Sequence, residues 1–228
     1  MKKNNIHAGH RQRMKKRFLA NGERAFDDYQ LLELLLFYSI PQGDTNPLAH
    51  RLLDHFHSLS AVMDASVEEL TAVEGVGEHT AVLIHLLPQF ARRYHQDRVK
   101  MDTTVNNIED AGALLAPYFY GARNEMVYLL SLDAKGRVLG CDLLGEGSAN
   151  FCTLDIRLVV ETALRRRARS VLLSHCHVSG LAVPSPDDRI ATLQCMDVLN
   201  KIQIELLDHL VFADGDYVSM AQSGLLRR

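Results

Sequence analysis

The sequence predicts an α/β protein in two parts: an all-helical domain over residues 1–98, then over residues 99–228 a mixed sheet with flanking helices. Two patterns and the break between them carry this reading. From Phe26 to about Tyr94 apolar residues recur at helical spacing, whereas beyond residue 106 short alternating runs are interleaved with helical ones. Between them, the stretch from His95-Gln96-Asp97-Arg98 to Val105-Asn106 loses periodicity and turns polar, which puts the boundary there. With 228 residues, 47% of them hydrophobic, the chain has apolar material for two small cores. No run approaches the roughly 18 apolar residues of a membrane span, and no charged-then-apolar leader opens the chain, so the expected setting is the cytoplasm, away from any membrane.

Residues 1–24 carry eight Lys or Arg against one acid, Glu23, a local charge of +7 in a chain whose net charge is −3. Such a segment attracts polyanions; it reads equally as a solvated or frayed terminus. Helices follow at Leu31–Leu36 after Asp27-Asp28, and at Leu48, Leu52, Leu53 and Phe56 after Asn46-Pro47, with Pro41-Gln42-Gly43-Asp44 between them. Ser66-Val67-Glu68-Glu69 is a capping box that opens a further short helix. That helix runs into Val73-Glu74-Gly75-Val76-Gly77, and another begins at Glu78. A helix, a Gly-x-Gly turn and a second helix resemble a helix-hairpin-helix, in which glycines let the backbone approach a phosphate and helix-start N–H groups hold it. The same pattern also makes a plain tight connection, and Glu78 repels phosphate where a DNA-binding hairpin would welcome Lys or Arg.

The second part opens with a helix from Ile108 to about Tyr118. A hairpin follows: a strand from Glu125, a turn at Ala134-Lys135-Gly136 and a partner strand from Arg137 to Leu144. Gly145-Glu146-Gly147-Ser148 leads to a third short strand, and Asp155 caps a helix ending in Arg165-Arg166-Arg167. That basic end complements the helix dipole; a phosphate-binding patch is the alternative. Ser170-Val171-Leu172-Leu173 starts a buried strand, and a helix carrying Ile190, Leu193, Met196 and Leu199 follows it. Ile202–Leu207, Leu210–Ala213 and Tyr217-Val218-Ser219-Met220 are the remaining strand material. The four cysteines, Cys141, Cys152, Cys176 and Cys195, include no Cys-x-x-Cys pair and read as free thiols.

The chemistry concentrates at Ser174-His175-Cys176-His177. Strand alternation points His175 and His177 to one side and Cys176 to the other, into the core. Ten residues later, after a loop with Gly180, Pro184 and Pro186, Asp188 stands at or near a helix start. Two histidines and one aspartate are three ligands for zinc, leaving the fourth tetrahedral position for water as in a catalytic site. Spacing alone equally allows strand-end histidines and a helix-capping aspartate.

With these residues quoted, the chain resembles the RadC proteins, a branch of the JAB/MPN (JAMM) metalloprotease-like fold. The family pattern is His-x-His, ten residues and Asp, with a Ser three residues before the Asp and a Glu far upstream. Here these positions are His175, His177, Asp188, Ser185 and Glu125, the last opening Glu125-Met126-Val127-Tyr128-Leu129-Leu130-Ser131-Leu132-Asp133. Leu132-Asp133-Ala134-Lys135-Gly136-Arg137-Val138-Leu139 and Asp208-His209 are also similar to RadC segments. The chain departs at Cys176, Val178 and Leu181, where the family usually has Asn, Pro and Asp; none of these is a ligand in the family.

The resemblance implies an MPN/JAB-like sheet and a zinc (Zn2+) site of His175, His177 and Asp188. It further implies Glu125 as general base and Ser185 as oxyanion donor; Asp208 and His209 show no ligand spacing, and His209 is left as a group behind the ligands. Zinc lowers the pKa of its water toward about 7. A peptide or protein is then the first candidate substrate, and a metal-dependent nuclease the second. A non-enzymatic DNA-binding adaptor in repair or recombination is the third reading, with DNA held through residues 1–24 and the Gly75–Gly77 hairpin.

Overall fold

The computed structural model describes residues 9–98, 103–147, 154–178 and 180–226. The chain divides into two compact units, Met1–Phe90 and Ala91–Arg228. The helical stretch contains α1 (His10–Asn21), α2 (Asp28–Ser39), α3 (Asn46–Phe56), α4 (Leu59–Asp64), α5 (Val67–Thr71) and α6 (Glu78–Arg98). Local chemistry starts several of them. Ser66 accepts from the Glu69 amide at 3.1 Å while the Glu69 carboxylate accepts from the Ser66 amide at 2.7 Å, the reciprocal box expected at α5. Ser58 caps α4, and Pro47 sits in the first turn of α3, where its missing N–H costs nothing. The apolar stripes meet in one core built on Leu32, Leu36, Leu52, Val62, Leu70 and Ile84.

The basic segment holds a helix that periodicity did not predict. In α1 only Met14 is buried, so its apolar face is one residue wide and leaves no amphipathic signature. Polar contacts hold it to α2 and its flanks. His10 Nε2 lies 2.8 Å from the buried Glu33 carboxylate; Arg11 donates to the Gly43 carbonyl at 2.8 Å; Arg17 donates to Gln30 Oε1 at 2.6 Å and lies over the Phe26 ring. Part of the segment's positive charge is therefore engaged inside its own unit. Lys2 and Lys3 lie outside the described residues.

The second unit contains α7 (Ile108–Leu115), β1 (Glu125–Leu132), β2 (Val138–Gly147), α8 (Ile156–Arg166), β3 (Ser170–Cys176), α9 (Pro186–Lys201), β4 (Glu205–Ala213) and β5 (Asp216–Ser219). The five strands form one mixed sheet in the order β2-β1-β3-β4-β5, with β3 and β4 parallel and every other pair antiparallel. The expected third strand after Ser148 and Cys152 fall outside the described residues; among the described residues Cys141, Cys176 and Cys195 are not joined in a disulfide.

Alternation along β1 and β3 sends residues to two cores. Tyr128, Leu130, Leu172 and Cys176 pack with Ala111 and Leu115 of α7. Val127, Leu129, Val171 and Leu173 pack with Val159 and Ala163 of α8 and with Cys195 and Leu199 of α9. His175 shares the phase of Val171 and Leu173, so it belongs to the α9 side. Of the arginines ending α8, Arg165 and Arg166 reach Asp142 of β2, Arg166 with two bonds of 2.8 and 2.7 Å.

β4 is one strand across Asp208-His209 rather than two pieces. Its pairing with β3 skips a residue between Leu206 and Asp208, leaving Leu207 as a bulge that reverses the alternation. Leu206 packs toward α9, and after the bulge His209 pairs with Leu173 and faces α9 as well.

Candidate metal centre

β3 carries His175 as its penultimate residue, and His177 follows just past the strand, held by its amide bonding to the Phe212 carbonyl of β4 at 2.8 Å. Ser185 is the N-cap of α9: its Oγ accepts from the Asp188 amide at 3.1 Å. Asp188 Oδ2 in return accepts from the Ser185 amide and hydroxyl, each at 2.7 Å. This box pins the Asp188 carboxylate over the helix start, where the dipole favours negative charge.

The three side chains converge. His175 Nε2 and His177 Nε2 are 3.0 Å apart; His175 Nε2 is 3.5 Å from Asp188 Oδ1, and His177 Nε2 is 3.6 Å from Asp188 Oδ2. One ligand atom from each residue lies within 4.8 Å of the others. Donors each 2.0–2.1 Å from a tetrahedral zinc ion stand about 3.3 Å apart, close to the 3.0 Å between the two histidine nitrogens and the 3.5 Å from His175 Nε2 to Asp188 Oδ1. Two imidazole nitrogens and a carboxylate oxygen are also the donor types that zinc takes. The residues present fit the ion.

Glu125 opens β1. Val127 pairs with His175, so carrying the antiparallel register two residues further sets Glu125 beside His177. Its carboxyl pKa is raised by burial, an effect that His177 opposes and the Asp188 charge reinforces. Burial alone would raise the Asp188 pKa, but His175 and the Ser185 hydrogen bonds outweigh it and hold the group below its ordinary value. Burial pushes His175 down to about 4 against the pull of Asp188, which keeps the imidazole neutral near pH 7. His209, also buried, is lowered well below its ordinary value by desolvation, with His175 adding to the effect.

Behind His175 lies a further set of contacts. His175 Nδ1 is 2.8 Å from His209 Nε2, and His209 Nδ1 is 2.6 Å from Thr192 Oγ1. The Thr192 hydroxyl is also 2.6 Å from the carbonyl oxygen of Asp188. Sequence reasoning left His209 as a group behind the ligands and overlooked Thr192, whose one signal is its place one helical turn after Asp188. Asp208, adjacent but buried, accepts from the Ser219 hydroxyl and from the Ala221 amide, bracing the chain after β5.

The three variant positions separate by location. Cys176 lies in the α7-side core, whereas Val178 and Leu181 are exposed on the loop; the Leu181 carbonyl is 3.4 Å from His177 Nδ1. In the other unit, Gly75 has φ 96° and backs onto Leu48, while Arg51 donates to the Glu74 carbonyl. Gly77 opens α6, its carbonyl accepting from Thr80 and Ala81.

A mixed sheet that ends in two histidines facing the aspartate of a helix start marks the chain as an α/β protein with a candidate metal centre. The sequence of the second unit matches the family model "RadC-like JAB domain" over residues 105–225, and residues 7–82 match "UPF0758 N-terminal". The chain belongs to the RadC-like JAB domain family. A UPF0758 protein from Ectopseudomonas mendocina (strain ymp) is 32% identical over 213 residues, 93% of this chain and 95% of the relative. Another, from Pseudoalteromonas translucida (strain TAC 125), is 30% identical over 94% of this chain and 96% of its own length. None of the described helices is long and apolar enough to cross a membrane.

Proposed function

We propose that the chain is a zinc-dependent hydrolase of the RadC/JAB type, peptidase-like in chemistry, with its active part in residues 99–228. The observation that carries this reading is the convergence of His175, His177 and Asp188 on one point, with Glu125 set beside them by the strand register. Zinc, when bound, supplies Lewis acidity that polarises a carbonyl and makes water nucleophilic near neutral pH.

The chain's own groups do the rest. Glu125 is the base that takes a proton from the attacking water: its raised pKa brings it nearer the working pH, where a base is most effective. Ser185 supplies the hydrogen bond to the oxyanion. Its oxygen stays fixed by the Asp188 amide while its hydroxyl proton turns from the carboxylate to the substrate. The test is a cleavage screen of the zinc-loaded protein against peptides, with Glu125→Gln as control and DNA as competitor. Peptide cleavage that needs Glu125 and ignores DNA supports a peptidase; cleavage of DNA in place of peptide identifies a nuclease; activity in neither defeats the hydrolase reading.

DNA contact through the first unit is a second reading, supported by α1, which keeps Lys16 exposed beside its engaged arginines. Phosphate attraction through such residues is strongly salt-dependent and blind to sequence.

A further inference from the structure

We propose that His209 and Thr192 are positioning residues that hold His175 in the ring tautomer able to bind a metal; this rests on the zinc reading above. The contacts run as a chain, from His175 Nδ1 to His209 Nε2, from His209 Nδ1 to Thr192 Oγ1, and from Thr192 Oγ1 to the Asp188 carbonyl. All three side chains are buried, so water does not complete their hydrogen bonds.

Two proton orders are possible along the chain, and only the first places a proton in every contact; the second leaves Thr192 Oγ1 and the Asp188 carbonyl oxygen 2.6 Å apart with no proton between them. In the first, Thr192 donates to the Asp188 carbonyl, which can only accept. Its oxygen then receives the Nδ1–H of His209, leaving His209 Nε2 with a lone pair that accepts the Nδ1–H of His175. His175 Nε2 is thereby left unprotonated, facing His177 and Asp188. In the second order Thr192 donates to His209 Nδ1, every proton shifts by one place, and His175 ends with an Nε2–H aimed into the donor set. Only the first order leaves a lone pair there.

The Asp188 carbonyl is the terminal acceptor that allows this order, and Asp188 is itself one of the three donors. The chain of contacts therefore leaves one donor through β4 and returns to the backbone of another, coupling β3, β4 and α9. His177 reaches the same tautomer by a shorter route, its Nδ1 facing the Leu181 carbonyl, which is also only an acceptor. Outer partners of ligating histidines commonly act in this way; here the partner is a second histidine, whose own proton is governed by a threonine.

The full-length metal-free protein is titrated with Zn2+ in competition with a chromophoric chelator. Thr192→Val keeps the shape but leaves the His209 Nδ1–H of the metal-ready order without an acceptor, and an orphaned buried N–H is poorly tolerated. Its zinc affinity should fall roughly 10- to 100-fold, and Thr192→Ser should recover most of the loss. His209→Leu should lose as much, whereas His209→Gln, whose amide oxygen can take the His175 Nδ1 proton, should recover much of it. Ring 15N spectra of the zinc-loaded wild type should show His175 protonated at Nδ1, a result available even if a variant fails to fold. A loss that Thr192→Ser shares in full with Thr192→Val, unchanged affinity in Thr192→Val, or an Nε2–H on His175 would each overturn the relay. A wild type that takes up no zinc overturns the metal reading and the relay with it, which separates the two failures.

Discussion

Asp188→Asn separates the two jobs of one carboxylate. In the structure Oδ2 serves the cap of α9, accepting from the Ser185 amide and hydroxyl, while Oδ1 lies 3.5 Å from His175 Nε2. The amide keeps one oxygen for the cap, so the cost to the metal-free protein is at most that of losing an N-cap, about 1 kcal/mol. In a unit of roughly 140 residues the melting entropy is about 0.3 kcal/mol/K, so this moves Tm by about 3 °C. The metal effect is larger. At free zinc 100-fold above its dissociation constant, binding stabilises the folded state by about 2.7 kcal/mol, or about 9 °C. Wild type should thus melt about 9 °C higher in zinc than in chelator, whereas Asp188→Asn should start about 3 °C lower and respond little. Differential scanning calorimetry with and without zinc reads both numbers. A zinc-induced rise in Asp188→Asn equal to that of wild type would refute the ligand assignment, and a metal-free loss far above about 1 kcal/mol would show that the carboxylate is mainly structural.

Glu125→Gln should retain zinc uptake and the wild-type melting temperature while hydrolysis falls by about 10²- to 10⁴-fold, as for loss of a general base; near-normal turnover would move the base elsewhere. Because His175 is lowered from 6.5 to about 4 in the folded chain, the unfolded chain binds more protons in that window. Stability of the metal-free protein should therefore be complete in this respect above pH 6.5 and fall as the pH drops toward about 4. Urea midpoints at about pH 7, 5.5 and 4.5 test it, and an equally steep fall in His175→Gln would assign the effect to other groups. Met14→Ala should destabilise the first unit by about 2 kcal/mol, the lower end for a buried methionine in a small cluster, whereas α1 acting as a mere tail would leave it unchanged. For DNA, Lys16→Glu should weaken binding and lower the salt slope by about 1, while Gly77→Val, with open space around its Cβ, should change little; the reverse ranking would place the contact at the hairpin.

Local and periodic features were legible in the order of residues alone. Alternation at period two places His175 and His177 on one side of β3 and Cys176 on the other, and Ser185 before Pro186 and Asp188 is a helix-start signal carried within a single turn. The same holds for the capping box at Ser66 and for the hairpin around Lys135-Gly136. The single-residue apolar face of α1 left no such signal, because polar bonds to Glu33, Gly43 and Gln30 hold that helix in place of a hydrophobic stripe.

The site's depth came from the packing of elements distant in the chain. Glu125 lies far before His175 in sequence, and antiparallel pairing of β1 with β3 sets it beside His177. The bulge at Leu207 reverses the phase of β4 and turns His209, rather than Asp208, toward His175 and Thr192. A bulge is a misfit between two strands, and a proton relay needs side chains from three elements. Neither is encoded in the order of residues along any one of them.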